Sequence, residues 1–150
     1  MSIWFTPATP DLLNQLGADT LVSHIDIVFH EIGEDFITAS MPVDARTVQP
    51  ARILHGGASV VLAETLGSVA ANLCVDPARK ICVGMEINAN HVTPARSGRV
   101  TGTVRPVHIG ASTHIWQTRI QDDQGRLVCI SRLTMAVLDH RRNGRPPVEA

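Results

Sequence analysis

Between His55 and Cys74 the chain carries a single charged residue, Glu64, in a run that is otherwise apolar, small or weakly polar. The run is long enough for about five helical turns. Apolar residues fall on nearly every side of that helix, which is the pattern of a helix enclosed in a protein interior. On both sides of it the hydrophobic period is two. Ile25, Ile27 and Phe29 alternate with Asp26, Val28 and His30, and after a turn at Gly33-Glu34-Asp35, Ile37, Ala39, Met41 and Val43 alternate with Thr38 and Ser40. Beyond a polar break at Asp76–Lys80, which contains Pro77, three or four long strands follow. In the first, Val83, Met85, Ile87 and Ala89 alternate with Gly84, Glu86, Asn88 and Asn90. In the second, Arg99, Thr101, Thr103 and Arg105 alternate with Val100, Gly102 and Val104. The third runs from about Ser112 to Gln121, and the last, Leu127 to Leu138, is apolar on both faces, as a central strand would be.

Punctuation agrees with these elements. Thr9, Pro10 and Gly17 are the N-cap, first residue and stop of a short helix. Asp44–Leu54, with Pro50 inside it, reads as a loop, and Asp122-Asp123-Gln124-Gly125 as a hairpin turn with glycine late, where a positive φ is needed. The expected fold is α+β, with one long helix across the concave face of a five- to six-stranded antiparallel sheet, since nothing else can cover that face. The polar second face of Val83–Asn90 suggests a site, or an edge that pairs with another subunit. One domain is expected over 1–140, with residues 141–150, basic and Pro-rich, expected to form a mobile end. No internal repeat is visible.

Composition narrows the function. At 150 residues, 44% apolar and 18% charged, the chain is globular. A net charge of −1, no tyrosine, three Phe and two Trp argue against a nucleic-acid surface. Cys74, Cys82 and Cys129 have no zinc spacing and sit in apolar stretches, as small core residues do. No signal peptide is evident, and the glycines, Asn72 and Glu64 make the long helix a poor membrane span, so a cytoplasmic protein is expected. No metal-ligand spacing and no nucleophilic-serine context occur.

Glu64 is therefore the centre of interest. Burial raises a carboxyl pKa, and a carboxyl so tuned serves as general base or nucleophile; the alternative is a seam residue paired with an arginine. At the start of the helix, His55 stands at the capping position and Gly56 and Gly57 leave the backbone open. Unpaired N–H groups there stabilise a developing oxyanion. His55 either caps the helix or orders the site, and the two glycines behind it favour the second. Ser68, four residues after Glu64, shares its face, and Gln49 in the loop offers a donor and an acceptor. Glu64 lies eight residues beyond Gly56, roughly 12 Å along the axis. Both cannot touch one carbonyl within a single chain, so the expected site lies between two subunits.

Three segments carry a resemblance: Asp44–Gln49, Leu54–Ala70 with its His-Gly-Gly…Glu…Ser block, and Gly84–Val92. They resemble the hotdog-fold acyl-CoA thioesterases of the 4-hydroxybenzoyl-CoA thioesterase type. Nearest in pattern are the dihydroxynaphthoyl-CoA thioesterases of menaquinone synthesis and the proofreading thioesterases of enterobactin synthesis. The resemblance spans about Leu21–Leu138 and implies the following. Glu64 attacks the thioester or activates water, the Gly56 N–H polarises the carbonyl, and Gln49, His55 and Ser68 orient the reacting groups. Gly84, His91, Val92, Thr93, Pro94, His108, Ile109, Gly110, Ala111, Ser112 and Thr113 line the CoA channel, and Arg96, Arg99 and Arg105 either meet its phosphates or are solvated. It also implies a homodimer or homotetramer, no metal, no cofactor beyond the substrate's CoA, and as substrate an aryl-CoA thioester of the hydroxybenzoyl or dihydroxynaphthoyl kind or a carrier-protein-bound aryl thioester. The rivals are a hotdog hydratase and a non-catalytic acyl-CoA-binding module.

Overall fold

The computed structural model describes residues 1–140; the basic end expected at 141–150 lies outside the described residues. Two short helices, α1 (Pro10–Leu16) and α2 (Leu21–His24), precede strands β1 (Val28–Ile32) and β2 (Ile37–Pro42). The long helix α3 (Gly56–Leu73) follows, then β3 (Lys80–His91), β4 (Arg99–Ile109), β5 (Thr113–Asp122) and β6 (Leu127–Asp139). The strands form one antiparallel sheet in the order β1-β2-β4-β5-β6-β3. Helix α3 lies against β2 through β6, as the pattern required. Leu62, Ala63, Leu66, Ala70 and Ala71 of α3 share one core with Ile37, Met41, Val104, Trp116, Ile120 and Leu133. Enclosing a leucine such as Leu62 stabilises the fold by about 1.5–3 kcal/mol. Small residues keep helix and sheet close: a Cβ on Gly67 would come within 2.6 Å of Leu133 Cδ2.

Several elements stand where the sequence puts them. Thr9 caps α1 by accepting from the Leu12 N–H, and Gly17 ends it. Gly125 has φ +76 in the β5–β6 turn, and β6 is flanked by β5 and β3. Two details differ. The strand expected from Ile25 begins only at Val28, because Thr20 caps the short helix α2 and Asp26 turns the chain at φ 55. There the Asn14 side chain stands in for a pairing strand, accepting from Phe29 N–H at 2.8 Å and donating to Phe29 O at 3.1 Å. Ile25 and Ile27 are buried all the same.

The second difference is in β3. Its simple alternation fails, since Val83 and Met85 are 39% and 65% exposed. The register shifts between Gly84 and Glu86. A bulge resets which side chains face inward, so Cys82 is buried before it, and Ile87 and Ala89 pack on the core after it. Asn72 explains its own place in an apolar helix. It accepts from Cys82 N–H at 2.9 Å and donates to Cys82 O at 3.1 Å, which ties α3 to β3. With twelve residues, β3 is also an end strand of the sheet.

Candidate active site

The start of α3 is built by its capping residue. His55 Nδ1 accepts from the Gly57 N–H at 2.8 Å. In that bond the ring acts as an acceptor through Nδ1. The imidazole takes the capping role, worth about 1 kcal/mol for a good N-cap. Gly56 N–H forms no hydrogen bond among the described residues. Its missing side chain makes room for His91 at the end of β3: a Cβ on Gly56 would stand 2.8 Å from His91 Nε2. Amide and imidazole therefore open into the same cleft.

That cleft has a volume of about 450 Å³ and is lined by Gln49, Gly56, Ser59, His91, Val92, Thr93 and Pro94 over an apolar floor that includes Leu54 and Val128. Gln49 is held by its own loop, its side-chain Oε1 accepting from the Ala51 N–H at 2.5 Å and its backbone N–H donating to Ile53 O at 2.9 Å. Its amide NH2 keeps two donors free among the described residues. A few apolar walls with convergent polar groups are the usual make-up of a small-molecule site.

Glu64 lies elsewhere. It is half-buried on α3, and it forms no ion pair among the described residues. The alternative of a seam residue locked onto an arginine is thereby set aside. Burial pushes its carboxyl pKa above the ordinary value, and a hydrogen bond from Ser68 Oγ at 3.5 Å opposes that rise. The carboxyl rests on Gly84 of β3, where a Cβ would lie 2.6 Å from Glu64 Oε1.

The expected site residues thus fall into two groups within one chain. Gln49, His55, Gly56 and His91–Pro94 gather at the start of α3. Glu64, Ser68 and Gly84 gather near the other end of β3, and neither Glu64 nor Ser68 lines the cleft. The His108–Thr113 segment lies along the same cross-sheet row as Gly84, two to three strands away. Gly84 pairs with Met135, Met135 with His114, and His114 with Ile109, so one cross-sheet row joins the acid to the β4–β5 hairpin carrying Ile109, Gly110, Ala111 and Ser112. Of the three arginines, Arg99 bonds to Asp26 and Ser40, and Arg105 pairs with Asp35 beside the Phe36 ring. Arg96 is exposed, beside a groove shared with Arg126 and Asp122. Ser59, which the sequence pattern did not single out, also lines the cleft. Its position one turn after Gly56 was the available clue to its place in the cleft.

The family model of the thioesterase superfamily matches residues 51–129, which hold α3 and the strands that carry both groups. The chain belongs to this hotdog thioesterase superfamily. The 1,4-dihydroxy-2-naphthoyl-CoA hydrolase of Escherichia coli K12 is 53% identical to it, over 91% of this chain and 99% of that protein. The proofreading thioesterase EntH of Cronobacter sakazakii is 44% identical, over 91% and 98%. A solved mutant thioesterase from Pseudomonas aeruginosa superposes with a TM-score of 0.90 at 48% identity, covering 92% of this chain and 99% of that one. The hotdog thioesterase is accordingly a thioester hydrolase. No helix among its described residues is long and apolar enough to cross a membrane.

Proposed function

We propose that this thioesterase hydrolyses an aryl acyl-CoA in the cytoplasm, at a site completed by two copies of the chain. Glu64 of one copy works with the cleft of the other. The observation that carries the reading is a half-buried carboxyl with a raised pKa, no cationic partner among the described residues, and a glycine beneath it. The free Gly56 N–H supplies the complementary donor. About 12 Å of helix separates the two, and β3 offers a means of joining them. It is an end strand with exposed Ile81, Val83 and Met85, and a long apolar edge of this kind is a template for pairing with another chain. Two copies pairing antiparallel along β3 bring the Gly84 end of one towards the His91 end of the other. A homodimer is the least assembly that satisfies this, and a homotetramer contains it.

In such a site the Gly56 N–H takes the thioester carbonyl oxygen, beside His91. The Glu64 carboxylate then adds to the carbonyl carbon. The tetrahedral oxyanion collapses with loss of the CoA thiolate, and water cleaves the resulting anhydride to free acid and carboxylate. Alternatively Glu64 removes a proton from a water that adds directly. Neither route needs a metal or a cofactor. Ser68 steadies the carboxylate, and the Gln49 amide orients the carbonyl or the water. Similarity to the dihydroxynaphthoyl-CoA hydrolase supports an aryl substrate and a place in menaquinone synthesis, while similarity to EntH supports a carrier-protein-bound aryl thioester as a second reading. The test is Glu64→Gln, followed by release of CoA from hydroxybenzoyl- and naphthoyl-CoA. Turnover is expected to fall by about 10²–10⁴-fold. Retention of near wild-type turnover would remove Glu64 from the chemistry, and a wild type that binds these thioesters without cleaving them would show a binding module.

A further inference from the structure

Beneath the Glu64 carboxyl the sheet presents Gly84 of β3 and, paired with it, Met135 of β6. Met135 is 1% exposed, and its sulfur lies 3.9 Å from the Ser68 hydroxyl. A Cβ on Gly84 would stand 2.6 Å from Glu64 Oε1 and 3.9 Å from Met135 Sδ, so carboxyl and thioether lie over the same glycine. Ser68 Oγ therefore has two acceptors within reach, the carboxyl at 3.5 Å and the sulfur at 3.9 Å. It has a single proton to give. A hydroxyl resting fully on a carboxylate closes to roughly 2.5–2.7 Å, and this one does not. The backbone of Ser68 is tied in place, since the Asn72 side chain donates to Ser68 O at 2.9 Å and also bonds to Cys82 of β3.

A hydroxyl bonded to a carboxylate favours the charged form and lowers its basicity. A thioether is a weak and uncharged acceptor, so whatever share of the hydroxyl it takes is lost to the acid. Only burial and Ser68 shift the Glu64 carboxyl, and no charged side chain does. Of the titratable groups on the strands packed against α3, Cys82 and Glu86 stand on β3 on either side of Gly84, and His114 of β5 pairs with Met135. Arg99 and Arg105 of β4 are held by Asp26 and Asp35, and His108 lies against Gly110. Cys129 and Arg132 of β6 pair with His91 and Asn88, beyond the bulge, and β2 has no titratable group. We propose that Met135 is a positioning residue for the hydrolysis: its sulfur shares the Ser68 hydroxyl and draws it off Glu64, so that the carboxylate keeps its lone pairs for the reaction. This rests on the reading of Glu64 as the working group and adds the residue that sets how firmly Ser68 holds it.

The experiment is the pH profile of kcat/KM on 4-hydroxybenzoyl-CoA. Met135→Leu removes the sulfur at nearly constant volume, a change that cores tolerate, and the hydroxyl then turns wholly to Glu64. The acid limb is expected to move to lower pH by about 0.5–1 unit, and the plateau kcat to fall about 2- to 10-fold as the carboxylate becomes a weaker base. Met135→Ile, a second side chain without sulfur, moves the limb in the same direction. Ser68→Ala moves it to higher pH, and on that background Met135→Leu shifts it by less than about 0.2 unit, as coupling through one hydroxyl requires. A limb that stays in place in both Met135 variants, or an equal shift with and without Ser68, would overturn the proposal and leave Met135 as packing alone. The underlying reading fails differently. Glu64→Gln with near wild-type turnover removes the acid and the proposal together, whereas an inactive Glu64→Gln beside an unmoved limb removes only the role of Met135.

Discussion

Replacing Gly84 by alanine tests whether the carboxyl works from where the structure places it. The new Cβ would stand 2.6 Å from Glu64 Oε1, where ordinary contact begins near 3.4 Å, so the carboxyl must retreat by about 0.8 Å. The obstacle is the far end of a flexible side chain, and Gly84 sits in extended backbone on an exposed stretch of β3, so the fold yields at little cost. Removing a glycine from a strand interior gains roughly 0.5–1 kcal/mol, or about 1–4 °C in Tm for a chain of this size. Catalysis has no such latitude, because a misplacement near 1 Å costs on the order of 10²-fold. Gly84→Ala should therefore melt at or slightly above the wild-type temperature while kcat falls about 10- to 100-fold, measured as CoA release. Gly67→Ala is the control. It meets Leu133 Cδ2 at the same 2.6 Å, but inside the core, and overpacking there costs typically 1–3 kcal/mol, so Tm falls by several degrees. If Gly84→Ala keeps kcat within about twofold of wild type, or loses stability as Gly67→Ala does, the carboxyl is not the working group held by Gly84.

Two further outcomes follow from the same geometry. Met85→Asp sets a charge in the exposed pairing edge of β3 and should shift the protein towards single chains in sedimentation, with turnover falling in step and recovering at higher protein concentration. A fully active single chain would refute the shared site. The raised Glu64 pKa predicts an acid limb of kcat/KM above the pH at which an ordinary glutamate titrates, about 4.3. It also fixes the sign of a stability effect. The native state holds this proton more tightly than the unfolded chain, so the stabilisation it provides is present below about pH 4.3 and lost as pH rises through the native value. Glu64→Gln should match wild type in acid and exceed it in stability at neutral pH. A gap that closes with rising pH would contradict burial as the cause of the shift.

Much of the fold was legible because its signals are local. The eighteen-residue α3 announces itself by apolar content and a capping histidine, and the strands by period two. The short helix α2 escaped notice because Ile25 and Ile27 are buried whether they belong to a strand or lead into one. The bulge at Gly84–Glu86 escaped because one extra residue changes the phase of a strand without changing its composition. Asn72 looked out of place until its bonds to Cys82 were seen, ten residues on and across a turn.

For the site, sequence alone singled out the candidate groups. A lone acid in an apolar helix and an open glycine amide at the helix start are properties of adjacent residues, and even their separation follows from the helical rise. What surrounds them was decided by tertiary contact. Only folding sets Gly84 under the carboxyl, His91 against Gly56, and Ser59 in the cleft with Val128. These neighbours are distant in sequence, and β3 meets α3 only through the packing of the sheet on the helix. Local rules have no term for such meetings, so the candidate groups are legible in the sequence while their neighbours are left to packing.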